Sequence, residues 1–224
     1  MCSKRDLDTL FMIGVEVPAL SIIFTAASRP PPSNGTECAF VSFWDDNIRK
    51  IIELLIPNGT SIRNDNQHTE TRNLRPSFGF LLGTACPLRG EEKGPGDVAD
   101  PRAELVDKLK ADEFGWVYNP APFMLGKCLR CYILISTIFI GYYCRGSEMT
   151  LCAILVPDTP RSKARIFDIV TVDLRFRKSR IANIRYLINI SSLFPVLASL
   201  VPFSVNEFEV IDKYTLHSMF EYLY

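Results

Sequence analysis

Glu91 and Lys93 stand two residues apart in Arg89-Gly90-Glu91-Glu92-Lys93-Gly94. They close the second of two short apolar segments, 75–83 and 86–94, that are joined by Gly83-Thr84. Successive side chains of a strand alternate between its faces, so Glu91 and Lys93 are expected to point together while Glu92 points away. A carboxylate is a hard oxygen ligand of the kind Mg²⁺ accepts, and an ammonium beside it can hold or polarise a water for attack on a phosphodiester.

The first segment, Arg75-Pro76-Ser77-Phe78-Gly79-Phe80, followed by the Glu-x-Lys block resembles the motif of the PD-(D/E)XK nuclease superfamily, with its restriction-endonuclease-like fold. The wider run from Phe43-Trp44-Asp45 to Val201 is similar to the C-terminal domains of crinkler-type effectors of filamentous fungi and oomycetes. The resemblance implies a Mg²⁺ site in which Glu91 is a ligand, the backbone carbonyl of Glu92 adds another, and Lys93 orients or activates the attacking water. It also implies a carboxylate from the first helix, for which Glu53 is the candidate, the other reading of Glu53 being a solvated helix charge. Ser77 stands where the motif has Asp, so a neutral hydroxyl occupies the second ligand position. Two readings follow: a metal-dependent DNA hydrolase, or an impaired module that binds nucleic acid or a host protein. Secretion and a host nucleus are implied by the crinkler-like resemblance alone.

With 224 residues, 47% of them hydrophobic, the chain can bury one sizeable core. Equal numbers of basic and acidic residues, 25 each, argue against a global electrostatic grip on nucleic acid and leave room for a local patch. The cysteine count, seven and irregularly spaced, favours reduced thiols, and Cys128-x-x-Cys131 lacks the second pair that a zinc site needs. Glu16 and Pro18 interrupt the apolar start and 131–143 is too short for a bilayer, so no membrane anchor is expected.

The elements that must position Glu91 and Lys93 follow from periodicity. Residues 1–27 read as one or two strands, with 19–24 the clearest; Arg29-Pro30-Pro31-Pro32 is a linker. The crinkler-like resemblance implies that residues 1–35 are an N-terminal remnant of something longer with its linker, before a nuclease-like domain over 36–205 and a tail over 206–224. The spacing predicts a helix over 42–56, with Ser42 as N-cap, Trp44, Ile48, Ile51, Ile52 and Leu55 on one face, and Asp46, Arg49, Lys50 and Glu53 on the other. Strands are expected around 60–66, 76–82 and 86–93, then a helix over 100–110 capped by Asp100 with Pro101 in its first turn. Asp65 and Glu70 are candidates to replace the carboxylate missing at Ser77. Further strands around 149–156 and 166–174 and a helix over 179–193 complete an α/β fold, a central mixed sheet flanked by helices, for which the resemblance implies a restriction-endonuclease-like core. Arg175, Arg177, Lys178, Arg180 and Arg185 form a basic run that could track a phosphate backbone or be a solvated surface.

Segment 127–140 differs in composition from its flanks and is read as an insertion. It is either a retained intron, since Gly126-Lys127-Cys128 can be encoded by a splice-donor-like sequence, or an extra hairpin arm or short buried helix. Transcript sequencing separates them. The intron reading expects a message in which one glycine codon joins Leu125 to Tyr142, and a segment present in every message sinks it.

Overall fold

The computed structural model describes residues 18–64, 76–83, 85–108, 138–155 and 163–199. Six strands form one mixed sheet in sequence order: β1 (Thr60–Ile62), β2 (Phe78–Leu82), β3 (Ala85–Lys93), β4 (Ile138–Arg145), β5 (Glu148–Leu155) and β6 (Arg165–Asp173). All neighbours are antiparallel except β3 and β4, which run parallel. A parallel pair needs a crossover, and helix α4 (Pro101–Asp107) lies in that connection. The expected α/β architecture with a central mixed sheet is therefore present. The tight β2–β3 connection turns at Gly83, whose φ of 61° is left-handed backbone that glycine adopts without penalty.

One face of the sheet carries the main core. Phe78, Phe80, Leu88, Ile140, Tyr142, Met149 and Leu151 pack there against helices α1 (Pro18–Ser28), α2 (Glu37–Trp44), α3 (Lys50–Leu55), α5 (Arg177–Ser191) and α6 (Phe194–Ser199). The other face holds a smaller cluster of Leu105, Phe139, Cys152 and Ile154 under α4. Asp100 caps α4 through its side chain, which accepts from the Arg102 N–H, and Pro101 stands at the start, as the sequence predicted. Of the insertion segment, Ile138, Phe139 and Ile140 are strand residues of β4, paired with β5, and Ile140 pairs with β3 as well. Residues 127–137 lie outside the described residues, as do Asp65, Glu70, Cys128, Cys131 and the 206–224 tail.

Three expectations need correction. The clearest strand of the N-terminal region, 19–24, is instead part of helix α1. Its β-branched residues favour a strand locally, but Ala26 is buried in the main core with Ile22 and Ile23 against it, and tertiary packing overrides the local preference. The guanidinium of Arg180 finishes the helix by donating to the carbonyls of Ala27 and Ser28. Helix 42–56 begins earlier, at Glu37 after Thr36, so Ser42 is not its cap. Asp46, assigned to the solvent face, is buried and ion-paired to Arg29 at 2.6 Å and Lys50 at 2.5 Å. The cause is a π-helical turn, Asp45–Arg49, between α2 and α3 that rotates the helix faces. Buried Asn side chains satisfy a carbonyl just before it and one within it: Asn47 Nδ2 donates to Phe43 O and Asn183 Nδ2 to Asn47 O, both at 2.9 Å.

Among the described residues, one helical run, Arg177–Ser199, is long and apolar enough to cross a membrane. Here it is split between α5 and α6, and Leu187, Ile190, Phe194 and Leu197 belong to the core. The four described cysteines, Cys38, Cys86, Cys144 and Cys152, are free thiols.

Gly94 lets α2 begin directly against the end of β3. A Cβ there would meet Glu37 N at 2.6 Å and Thr36 C at 2.8 Å, both backbone atoms that cannot swing aside. Gly94→Ala is expected to destabilise the protein by about 1–3 kcal/mol, read as a lower urea midpoint with an unchanged slope.

Candidate functional site

β2 and β3 pair so that Phe78 faces Gly90, which sets Ser77 beside Glu91. The Ser77 hydroxyl donates to Glu91 Oε2 at 2.9 Å, and the Ser77 N–H approaches Oε1 at 3.4 Å. Strand alternation holds as expected. Glu91 and Lys93 lie on the α4 side, whereas Glu92 points into the opposite face, toward Arg63 and Tyr142. Both glutamates are fully buried.

Each buried carboxylate has its own cation. On the α4 side the ammonium of Lys108 lies 2.7 Å from Glu91 Oε2 and 3.1 Å from Glu104 Oε2. Lys93 Nζ lies 3.2 Å from Glu104 Oε1 and 3.8 Å from Glu37 Oε2. Glu104 and Lys108 are one helical turn apart on α4, and docking of Leu105 onto the sheet presses that turn onto β3. Burial pushes the Glu91 carboxyl above the usual range, although Lys108 and Ser77 pull it back. Burial pulls Lys93 down, but Glu104, Glu37 and Glu91 outweigh it and leave its pKa raised. Lys93 is thus a fixed ammonium, able to orient a ligand and unsuited to accepting a proton.

On the opposite face Arg63 donates to Glu92 and, at 2.7 Å, to Asp45 Oδ1. The Tyr142 hydroxyl donates to Glu92 Oε1 at 2.7 Å. Tyr142 reaches that carboxylate across Gly90, where a Cβ would lie 2.1 Å from the ring. Burial raises the Glu92 pKa against the pull of Arg63 and Tyr142. This cluster is a buried ion pair facing away from Lys93, in which Arg63 Nε is left without a hydrogen-bond partner.

Several expected site residues fall elsewhere. Glu53, the candidate helix carboxylate, pairs with Arg49 at 3.3 Å, which in turn pairs with Asp45. It belongs to the charge chain leading to Glu92 and not to the Glu91 side. From the α2–α3 run the carboxylate that approaches Lys93 is Glu37, beside Glu104 of α4, and it lies outside the helix expected from residue 42. Arg180 is buried and donates to four backbone carbonyls, of Leu174, Arg175, Ala27 and Ser28, so it is a structural cap and not a free phosphate ligand. Arg175 is exposed but bound to Asp173 at 2.6 Å. Arg177, Lys178 and Arg185 are exposed, with Arg185 over the Tyr186 ring.

Mg²⁺, which the nuclease resemblance implies, does not fit this donor arrangement. The Glu91 oxygen nearest Ser77 already accepts from a hydroxyl and an ammonium, and Ser77 contributes no charge. Among the described residues no group of three or more His, Cys, Asp or Glu side chains is placed to hold a metal ion.

Removing the partner of a buried carboxylate is costly at neutral pH, so Arg63→Met should lose about 3–5 kcal/mol of stability. Without Arg63, Glu92 faces Asp45, Tyr142 and the Cys144 thiol, and its folded-state pKa rises further above the unfolded value. The folded variant then holds a proton that the unfolded chain has released. Its stability falls as pH rises from the unfolded carboxylate range through the raised folded value. Denaturation at several pH values should show the deficit against the parent shrinking as pH is lowered; a deficit independent of pH would assign the loss to packing.

No protein-family model matches the chain, and no solved structure matches it. Among curated proteins it is similar to Crinkler effector protein 8 of the oomycete Phytophthora infestans, at 30% identity over 185 residues. The match covers 81% of this chain and 27% of that protein, so the chain spans about a quarter of the relative's length. The crinkler-like resemblance read from the sequence blocks is thereby supported, at the level of similarity to a crinkler effector.

Proposed function

We propose that this chain is a crinkler-like effector domain that binds nucleic acid on a nuclease-like core and does not cut it. The observation that carries the reading is the state of Glu91. The acid at the motif position sits beside Ser77, as a nuclease-like core requires, yet its charge is met by Lys108. The order of helix, three strands, helix and a strand parallel to the third also supports a nuclease-like core, since that order brings strand and helix charges to one end of the sheet.

Binding would use that same end. The N–H of Gly146 donates to Lys93 O at 2.8 Å, and the N–H of Leu174 donates to Ser147 O at 2.9 Å. These links place the start of α5, with exposed Phe176, Arg177 and Lys178, at the end of the sheet where Lys93 emerges. Exposed cations next to an exposed aromatic ring suit a phosphate backbone and a stacked base. Action inside a host nucleus, on DNA or RNA, belongs to this same proposal. A protein partner is the second reading. It is favoured by the edge strand β6, which leaves Phe167 55% and Ile169 45% exposed.

Fluorescence anisotropy with labelled DNA and RNA over a salt series tests the reading. Binding should weaken steeply with salt, and Arg177→Glu with Lys178→Glu should lower affinity and reduce the salt slope by about 1 for each phosphate no longer neutralised. Plasmid should remain intact in Mg²⁺. Cleavage that disappears in Lys93→Ala would replace the proposal with the hydrolase reading, and absence of any salt-dependent binding would favour the protein partner.

A further inference from the structure

We infer that Lys108 supplies from within the chain the positive charge that a divalent ion would otherwise supply between positions 77 and 91, and that it keeps such ions out of the site. The inference stands on geometry and is independent of whether the domain binds nucleic acid. The Lys108 ammonium meets the same oxygen, Glu91 Oε2, that receives the Ser77 hydroxyl. It therefore stands where the side chains of the two motif strands converge. It also bridges to Glu104, so one ammonium joins two carboxylates, as a bound cation would.

Charge counting shows why one lysine suffices. Among the described residues, the ion pairs join three carboxylates, Glu37, Glu91 and Glu104, to two ammoniums, Lys93 and Lys108, which leaves that ion-paired set with a net of one negative charge. Adding a divalent ion would turn that into a net positive charge beside a fully buried carboxylate, and an ammonium cannot donate a lone pair to a metal. Without Lys108 the same set carries two negative charges, which one Mg²⁺ or Mn²⁺ balances. Ser77, standing where the nuclease-like motif has Asp, and Lys108 are then complementary: the hydroxyl adds no charge to the site and the ammonium neutralises Glu91. It follows that an acid restored at Ser77 alone would acquire Lys108 as its partner and would not bring back metal binding.

Mn²⁺ binding to the intact chain, followed by electron paramagnetic resonance with Mg²⁺ competition and no nucleic acid present, tests this. The parent and Ser77→Asp should bind no Mn²⁺ that Glu91→Gln abolishes. Lys108→Met should bind one, and Ser77→Asp with Lys108→Met should bind it at least about tenfold tighter, because a second carboxylate joins the ligands. The idea is overturned if the parent binds a Mg²⁺-competed Mn²⁺ that Glu91→Gln removes, or if folded Lys108→Met binds none. Should Lys108→Met not fold, Lys108→Gln, which retains a polar group against Glu91, decides by the same criterion.

Discussion

Two consecutive glutamates are buried on opposite faces of one strand, and much of the structure answers to that constraint. A buried carboxylate without a partner is costly by several kcal/mol, so each face of β3 must present a cation. Arg63, from the end of β1, reaches Glu92, and Lys108, from the end of α4, reaches Glu91. Both cations arrive from elements that flank β3 in sequence, one before it and one after. The two pairs thus tie the first half of the sheet to the crossover helix, and β3 cannot shift register by one residue without exchanging the partners of both acids.

The helical layer is held to the sheet by similar means. Trp44 is buried and donates from Nε1 to Gly146 O at 2.7 Å, which fastens the π-helical turn to the β4–β5 hairpin. Just beyond it, Asp46 collects Arg29 and Lys50, so the chain leaving α1 is anchored to the helix that follows the proline run. Asn183 and Arg180 of α5 satisfy carbonyls of the π turn and of α1. Polar groups of the helices therefore close one another's exposed backbone, and the proline-rich segment connects two helices that share one core with α5.

These constraints give the Glu91 side its chemical character. Its side chains are oriented by a hydroxyl, two ammoniums and two further carboxylates, all partly or fully removed from water. Such a site is preorganised, with its acids committed to internal cations and one negative charge left over in the ion-paired set. Lys93 is part of that network, held by Glu104 and Glu37.

Much of this could be read in the chain itself. The alternation of Glu91, Glu92 and Lys93 followed from strand geometry, the Asp100-Pro101 start of α4 and the Gly83 turn followed from local chemistry, and the mixed sheet followed from the order of elements together with the family resemblance. What local chemistry could not supply was set by contacts distant in sequence. Residues 19–24 have strand-like composition and became helical because α5 caps and covers them, and Asp46 moved inside because a π turn rotated its face. Arg180 resembled its exposed basic neighbours and is instead a buried cap, since carbonyls more than 150 residues away claim it. Lys108 had no signal at all. Its spacing from Glu91 is meaningful only after the crossover helix folds back over β3, so the sequence by itself determined which acids would share a strand, and only the tertiary structure decided which cation would meet each of them.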